Sequence, residues 1–302
     1  MKPSGSPRTR LGDISFLNCA PIRWGLSDSG AAHGIDVISA PPERLAAGLL
    51  AGDLDISPVS LVRYLRHADD LCLLPGLAIG SDGPVRSCHL VSRGPLEELD
   101  GRVVALSEAS RSTALLARML LEDAIGVRPV YRALRRDALG HDPGGVPRTA
   151  GAAVVIGDDA LRLWADAPGG LTVHDTGEMW RNWTGLPMVF AVWAVRRTFA
   201  QDHPDAVAQV GAALTDAVRR ARAHPREVAA AAAREARGSS AGAFGEGVLL
   251  DYYRALDYSL GDRQLAAIQE FSERAAARGE VPAPLSARIP MPARIPILGG
   301  RT

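Results

Sequence analysis

Short apolar runs alternate with amphipathic segments along the N-terminal part of the chain, and this pattern predicts strands followed by helices. Strands of this kind are predicted at Leu11–Leu17, Ile35–Ser39 and Leu54–Ser57, which are rich in apolar residues. Prolines at helix starts and a glycine at a helix end predict helices at Ile22–Leu26 and Pro41–Gly52. Strands that alternate with helices at this spacing are expected to pair in parallel through right-handed crossovers.

A later segment, Thr184–Arg197, decides how the two halves of the chain are connected. Its Gly-x-Pro turn leads into Met188–Val195, an apolar run without charge, which is typical of a strand buried on both faces. We expect this strand to return the chain from a second lobe to the first, opposite an outgoing strand at Gly83–Ser92. The leucine- and glycine-rich segment Leu71–Gly80 is predicted to be a loop.

Two further strand-to-helix units are predicted in the middle of the chain. Arg102–Ser107 and Ala152–Ile156 are expected to be strands, each followed by a helix. Asp158 is predicted to cap the second of these helices, and the segment 132–150 is predicted to be a loop. Beyond Arg197, apolar residues recur at helical spacing. Helices are expected at Pro204–Ala223, Pro225–Arg237, Val248–Leu256 and Asp262–Ala277.

Together these elements predict an α/β protein of two lobes with a ligand cleft between them. A chain of 302 residues fits two lobes of ordinary domain size. The first lobe is expected to comprise residues 11–92 and 196–280, and the second lobe residues 93–195. The segments 1–10 and 281–302 are rich in Pro, Gly, Ser and Arg and are predicted to be loose tails.

Composition and charge narrow the functional classes. The 34 basic and 34 acidic residues balance, so a nucleic-acid-binding protein is not expected. No apolar run approaches the ~18 residues of a membrane span, and the apolar stretch before Cys19 is too short for a signal peptide. Three cysteines without a C-x-x-C spacing indicate neither a disulfide framework nor a zinc site, and are consistent with a reducing cytoplasm. Nucleotide, zinc-protease and calcium-loop motifs are absent, so we expect no metal and no cofactor.

Small polar residues follow the predicted strands. Asn18 lies between the first strand and a helix start, where open α/β sheets bind ligands, although a helix cap is an equally good interpretation. Ser60 is expected to cap the helix after the third strand. Ser87 and His89 share one face of the outgoing strand, but no nucleophile elbow accompanies them, which disfavours a covalent serine.

A second group of candidates belongs to the predicted second lobe. Ser110, Ser112 and Thr113 place three hydroxyls at one helix start, where free backbone N–H groups and the helix dipole favour an anion. Capping of the helix by a single serine is the alternative. Gly157, at the next strand-to-helix turn, allows a ligand to approach the backbone closely.

These motifs, taken in order, resemble the chorismate dehydratase family of the futalosine route to menaquinone. The resemblance covers residues 11–197 and the helical region Tyr252–Phe271, and it leaves out both tails and the 132–150 loop. The matching motifs are Ser15-Phe16-Leu17-Asn18-x-x-Pro21, Gly52-x-Leu54-Asp55-Ile56-Ser57-Pro58-Val59-Ser60, Val85-Arg86-Ser87, Ser110-x-Ser112, Ile156-Gly157-Asp158-x-Ala160-Leu161 and Thr184-Gly185-x-Pro187-x-x-Phe190-Ala191-Val192-Trp193-Ala194.

The resemblance implies expectations about both fold and activity. The fold would be the periplasmic-binding-protein-like fold of the second type, with two crossing strands as a hinge. The activity would be the elimination of water from chorismate to give 3-[(1-carboxyvinyl)oxy]benzoate, by a cytoplasmic lyase of menaquinone biosynthesis that needs no metal or redox cofactor. The oligomeric state is not indicated.

The chemistry of that reaction suggests roles for the candidates. Asn18 and Ser87 are expected to be the catalytic donors, because the reaction needs neutral donors aimed at developing charge. His89 is the candidate base, with the enolpyruvyl carboxylate of the substrate as the alternative. The remaining candidates are expected to bind substrate, and they are Ser60, Ser110, Ser112, Thr113, Gly157 and Trp193.

Two other functions stay open at this point. A sister family of the same pathway, which releases dihydroxynaphthoate, has a Cys-Pro-Asn-Asp type motif after its first strand, whereas this chain has Asn18-Cys19-Ala20-Pro21. A non-catalytic protein that binds or senses a small anion would share the fold. Such a protein is expected to carry an export signal or a DNA-binding segment.

Overall fold

The structure, a computed structural model, describes residues 8–30, 34–107, 111–134, 145–166, 168–237 and 244–282. Within these ranges the strands are β1 (Thr9–Ile14), β2 (Ile35–Ala40), β3 (Ile56–Ser60), β4 (Leu71–Ser81), β5 (Cys88–Ser92), β6 (Val103–Ser107), β7 (Val130–Leu134), β8 (Ala152–Ile156), β9 (Thr172–Asp175), β10 (Met188–Arg196) and β11 (Asp257–Leu260). The helices are α1 (Ala20–Ser29), α2 (Pro42–Ala51), α3 (Leu61–Arg66), α4 (Arg111–Met119), α5 (Asp158–Ala165), α6 (Thr176–Thr184), α7 (Arg197–Asp202), α8 (Pro204–Ala223), α9 (Pro225–Arg237), α10 (Glu246–Ala255) and α11 (Asp262–Ala277). A short 3-10 segment, Leu17–Cys19, joins β1 to α1.

The first sheet has the strand order β11-β4-β10-β3-β1-β2. Strand β1 is parallel to both β2 and β3, as the alternation of strands and helices predicts. Strand β10 is antiparallel to β3 on one side and to β4 on the other. The charge-free run therefore occupies the middle of this sheet, and its residues Met188–Val195 are all buried.

The second sheet has the strand order β7-β6-β8-β5-β9 and is built from a continuous part of the sequence. Strand β5 is antiparallel to β8 and β9, and β6 is parallel to β7 and β8. The predicted 132–150 loop begins inside β7, so that part of the prediction is wrong. Strand β7 lies at the edge of its sheet, where short strands that carry charged side chains are common.

Two segments differ from the sequence prediction. The predicted loop Leu71–Gly80 is instead part of β4, whose pairing with β10 and β11 outweighs its proline and glycines. The left-handed backbone of Gly76, with φ of 80°, lies where β4 pairs with Leu260 at the end of β11. The predicted strand Gly83–Ser92 begins only at Cys88, because the preceding residues form a turn.

The two sheets are packed against each other through a shared apolar core. The largest buried cluster contains first-sheet residues such as Val192 together with Leu116 and Leu161, which belong to helices on the second sheet. Trp193 is only 2% exposed and lies opposite Pro58 in the sheet. Among the described helices, none is long and apolar enough to cross a bilayer.

Candidate functional site

A sharp turn ahead of β5 positions Ser87 at the boundary between the two sheets. The backbone N–H groups of Val85 and Arg86 donate to the carboxylate of Asp175, at 3.0 Å and 2.7 Å. The same carboxylate accepts from the N–H of Gly177 at 2.9 Å, as the N-cap of α6. Asp175 thus fixes the turn before Ser87 to a helix start, a role that was not predicted from the sequence.

Ser87 is buried among neutral groups from both lobes. Its carbonyl oxygen accepts from the N–H of Gly157 at 2.8 Å, and its hydroxyl donates to the carbonyl of Val85 at 3.5 Å. Its side chain also lies beside the phenol of Tyr252 on α10. Burial raises the pKa of Tyr252 well above its ordinary value, and burial raises the pKa of the neighbouring Cys88 thiol to about 12. Both groups therefore stay protonated near neutral pH. Tyr252 was not singled out from the sequence.

Asn18 lies on the 3-10 segment that follows β1. Its carbonyl oxygen accepts from the hydroxyl of Tyr258 at 2.6 Å, which fixes the backbone. Its side-chain oxygen Oδ1 is buried and has no hydrogen-bond partner among the described residues. The N-cap of α1 is Cys19, so the interpretation of Asn18 as the helix cap is wrong. A buried amide oxygen without a partner is unfavourable unless a ligand or water supplies the donor.

The turn from β8 into α5 meets the segment before Asn18. Gly157 has φ of 69°, and a Cβ atom built on it would lie 3.6 Å from the ring of Phe16. Asp158 does not cap α5, whose N-cap is Gly157 without a side-chain bond. Instead its Oδ1 accepts from the N–H of Leu17 at 3.3 Å. Burial raises the pKa of Asp158, so this contact between the lobes involves a carboxyl group in a poorly solvated place.

A second contact between the lobes joins the starts of α3 and α4. Ser112 Oγ accepts from the N–H of Val62 at 2.9 Å, and Ser60 Oγ accepts from the N–H of Arg63 at 3.4 Å, as predicted for a cap. The hydroxyl of Thr113 donates to Cys88 Sγ at 3.6 Å. Ser110, which was also predicted to bind substrate, lies outside the described residues. The described hydroxyls therefore line the boundary between the lobes, where each has a protein partner.

His89 has a different environment from that expected of a base. It is fully buried, its Nε2 lies 3.0 Å from the carbonyl oxygen of Arg86, and its Nδ1 lies 3.8 Å from Asp175 Oδ2. Burial lowers the pKa of His89, against the opposing effect of Asp175, so the ring is neutral near pH 7. These contacts indicate that His89 stabilises the turn before Ser87 and disfavour proton transfer between His89 and a ligand.

Arg86 is a further polar group at this boundary that the sequence prediction did not single out as a candidate. Its guanidinium lies 4.3 Å above the ring of Trp164 on α5. No group of three or more His, Cys, Asp or Glu side chains in the described ranges is placed to hold a metal ion. The site thus combines neutral hydroxyl, amide and backbone groups with one cationic side chain, a set suited to a small anionic ligand.

Comparison with known proteins bears on the family of this chain. A family model described as menaquinone biosynthesis matches residues 9–277. The chain belongs to this menaquinone-biosynthesis family. Among curated relatives of the family, the chorismate dehydratase of Thermus thermophilus is 35% identical over 240 residues, covering 74% of this chain and 81% of the relative. The family predicted from the ordered motifs is therefore confirmed.

Solved structures show the fold of this family member. A protein of Archaeoglobus fulgidus superposes with a TM-score of 0.70 at 19% identity, covering 91% of this chain and 99% of that protein. The periplasmic aliphatic sulphonate-binding protein SsuA of Escherichia coli superposes with a TM-score of 0.66 at 16% identity, covering 93% and 90% of the two chains. The predicted periplasmic-binding-protein-like fold is confirmed by these neighbours.

Proposed function

We propose that this protein is a chorismate dehydratase, a hydro-lyase that converts chorismate into 3-[(1-carboxyvinyl)oxy]benzoate and water. The observation that carries the proposal is the 35% identity to the chorismate dehydratase of Thermus thermophilus over 240 residues. The family match over residues 9–277 also includes every candidate site residue. For an enzyme of small-molecule biosynthesis, we expect the cytoplasm to be the working compartment.

The proposed reaction breaks two bonds to ring carbons of chorismate, C3–H and C4–O. A base removes the proton at C3, and the electron pair of that C–H bond moves into the ring, which is conjugated to the ring carboxylate. The C4–O bond then breaks, and the hydroxyl group leaves with a proton as water. The ring becomes aromatic, which provides the driving force without any change in oxidation by an external reagent.

Ser87 and Asn18 are the proposed catalytic residues of this elimination. The Ser87 turn is held by Asp175, which fixes the position of the Ser87 hydroxyl between the Val85 carbonyl and Tyr252. The unpartnered amide oxygen of Asn18 is available to a substrate hydroxyl, and its NH₂ group can donate to a carboxylate. A fixed donor of this kind contributes about 3 kcal/mol to a transition state that develops charge.

The base is proposed to be the enolpyruvyl carboxylate of the substrate itself. His89 is buried, neutral and already in contact with the Arg86 carbonyl, and these features disfavour it as the base. Ser60, Ser112, Thr113 and Gly157 remain the proposed substrate-binding groups at the boundary between the lobes. We do not retain Trp193 as a substrate contact, because its side chain is enclosed in the first sheet.

The direct test is to incubate the purified protein with chorismate and follow the aromatic product by absorbance and mass. Ser87→Ala and Asn18→Ala are each expected to lower kcat at least tenfold. Thr215→Ala is the matched control, because this exposed hydroxyl bonds only within α8. If the parent protein forms no product from chorismate, the proposal is overturned. If both variants keep full activity, the assignment of the two residues is overturned.

A second candidate function is a non-catalytic protein that binds a small anion. The similarity of fold to sulphonate-binding proteins and the cationic Arg86 favour this alternative. The same experiment separates the two functions. Tight binding of chorismate without release of an aromatic product would favour the binding protein.

A further inference from the structure

Arg86 has a backbone conformation that side chains other than glycine rarely adopt. Its φ is 64°, and it is the only non-glycine residue with positive φ among the described residues. A left-handed arginine costs roughly 1 kcal/mol or more, so surrounding contacts must enforce it. Two adjacent N–H groups, of Val85 and Arg86, are bound by Asp175, and this pair of bonds holds the turn.

One end of the Arg86 guanidinium is buried, and no acidic side chain among the described residues is paired with it. It stacks on Trp164 at 4.3 Å, and its Nη1 is buried with no hydrogen-bond partner in the described parts of the chain. One other buried arginine nitrogen lacks a partner there, Nε of Arg118, but that guanidinium is already paired with Glu280. A buried N–H donor of a charged group is unfavourable unless an acceptor accompanies it.

Arg86 lies at the boundary where the candidate site is found. Trp164 and Leu161 of α5 pack with the large cluster that contains the first sheet, whereas Leu163 packs inside the second lobe. The face of α5 under the guanidinium is therefore the face toward the first lobe. The start of the same helix, Gly157, donates its N–H to the carbonyl of Ser87, the residue next to Arg86.

We propose that Arg86 binds one of the two carboxylates of the substrate and determines the preference for a dicarboxylate. The planar fork of a guanidinium matches a carboxylate through two parallel hydrogen bonds. Trp164 covers one face of the fork and leaves its edge for the ligand. The strained turn gives Arg86 a fixed direction relative to Ser87. This inference rests on the proposed function, since it takes the ligand to be chorismate or its product.

Arg86→Gly is the decisive variant, because it separates backbone strain from ligand binding. Glycine adopts the left-handed conformation freely, so the variant is expected to unfold in denaturant no earlier than the parent. The KM for chorismate is expected to rise roughly tenfold to a hundredfold, the range for loss of a hydrogen-bonded ion pair. Arg86→Lys, which keeps the charge without the planar fork, should give an intermediate KM.

The matched control is Arg274→Ala. Arg274 also stacks on a tryptophan, Trp183 at 3.9 Å, but it is paired with Glu270. Its removal should leave KM within about twofold, as expected for a surface ion pair far from substrate. A purely structural role for Arg86 predicts the opposite pattern, in which Arg86→Gly or Arg86→Lys changes the denaturation midpoint and leaves KM at the parent value, and that result would overturn the proposal.

Calorimetric titration identifies the carboxylate and tests the inference apart from catalysis. The ligands are the dicarboxylate product, 2-phenoxyacrylate, which lacks the ring carboxylate, and 3-(vinyloxy)benzoate, which lacks the other. Arg86→Gly should weaken the product and only one of the two monocarboxylates. Equal effects on all three ligands, or none on the product, would refute the assignment. If the parent binds the product through Arg86 but does not convert chorismate, the proposed function fails and the carboxylate site stands.

Discussion

The hydrogen bond from Val62 to Ser112 joins the two lobes at a fully buried place, and its removal has a calculable effect. Val62 N–H is in the first turn of α3, and Ser112 Oγ accepts it at 2.9 Å from the other lobe. In Ser112→Ala this donor has no partner while the lobes are together. An unsatisfied buried N–H costs about 1–3 kcal/mol. When the lobes separate, water replaces the serine, so the cost falls only on the closed arrangement.

The expected result is therefore a weaker closure of the lobes. A cost of about 1–3 kcal/mol corresponds to a shift of about 5- to 150-fold in the equilibrium between open and closed forms. The proposed site lies between the lobes, so substrate would bind to the closed form, and the apparent KM for chorismate should rise by up to that factor. Steady-state kinetics measures this change, and small-angle X-ray scattering of the free protein should show a larger radius of gyration. Thr215→Ala again serves as the control.

Two outcomes would refute the reasoning. Unchanged KM and an unchanged scattering curve would mean that the bond between Val62 and Ser112 does not contribute to closure. A fall in kcat at constant KM would mean that Ser112 acts on the transition state and not on the position of the lobes.

Two further predictions concern buried titratable groups. His89→Gln keeps a donor near the Arg86 carbonyl, so kcat should stay within a few fold and the pH profile should be unchanged; a large loss with an altered profile would restore His89 as the base. Burial raises the pKa of Asp13 to about 6 despite its partner Arg23, and its side chain is only 8% exposed. A raised carboxyl pKa destabilises the folded state as pH rises from about 4 to 6, by about 3 kcal/mol in total. Denaturation experiments measure the free energy of unfolding of Asp13→Asn minus that of the parent. This difference should increase by about 2 kcal/mol from pH 4 to pH 7, and an equal difference at the two pH values would contradict the prediction.

The sequence predicts those parts of the fold in which local pattern and final environment agree. The run Met188–Val195 lacks charge because both of its faces are covered, and the capping role of Ser60 depends only on residues nearby. Strand β4 was not predicted because Pro75 and Gly76 are residue types that favour turns. Its conformation is determined by pairing with β10 and β11. Such pairings between distant segments have no local signal.

The candidate site shows the same limit. Asn18 and Ser87 stand out because ordered motifs resemble a family, whereas no pattern of residues indicates the left-handed backbone of Arg86. That conformation depends on Asp175, which is distant in sequence, and on the stacking with Trp164. Likewise, the position of Asp158 in the sequence predicts a helix cap, but its carboxylate accepts a hydrogen bond from the N–H of Leu17, which is distant in sequence.

The central place of β10 has a consequence for the order in which the protein folds. Its neighbours β3 and β4 are synthesised long before it, and they cannot form their final ladders until residues 188–196 are available. The second sheet, from Cys88 to Asp175, is contiguous in the chain and needs no later strand. During synthesis from the N-terminus, the second lobe can complete its sheet while the first still exposes unpaired edges. Substitutions that slow the docking of β10 should therefore reduce the yield of folded protein more than its final stability.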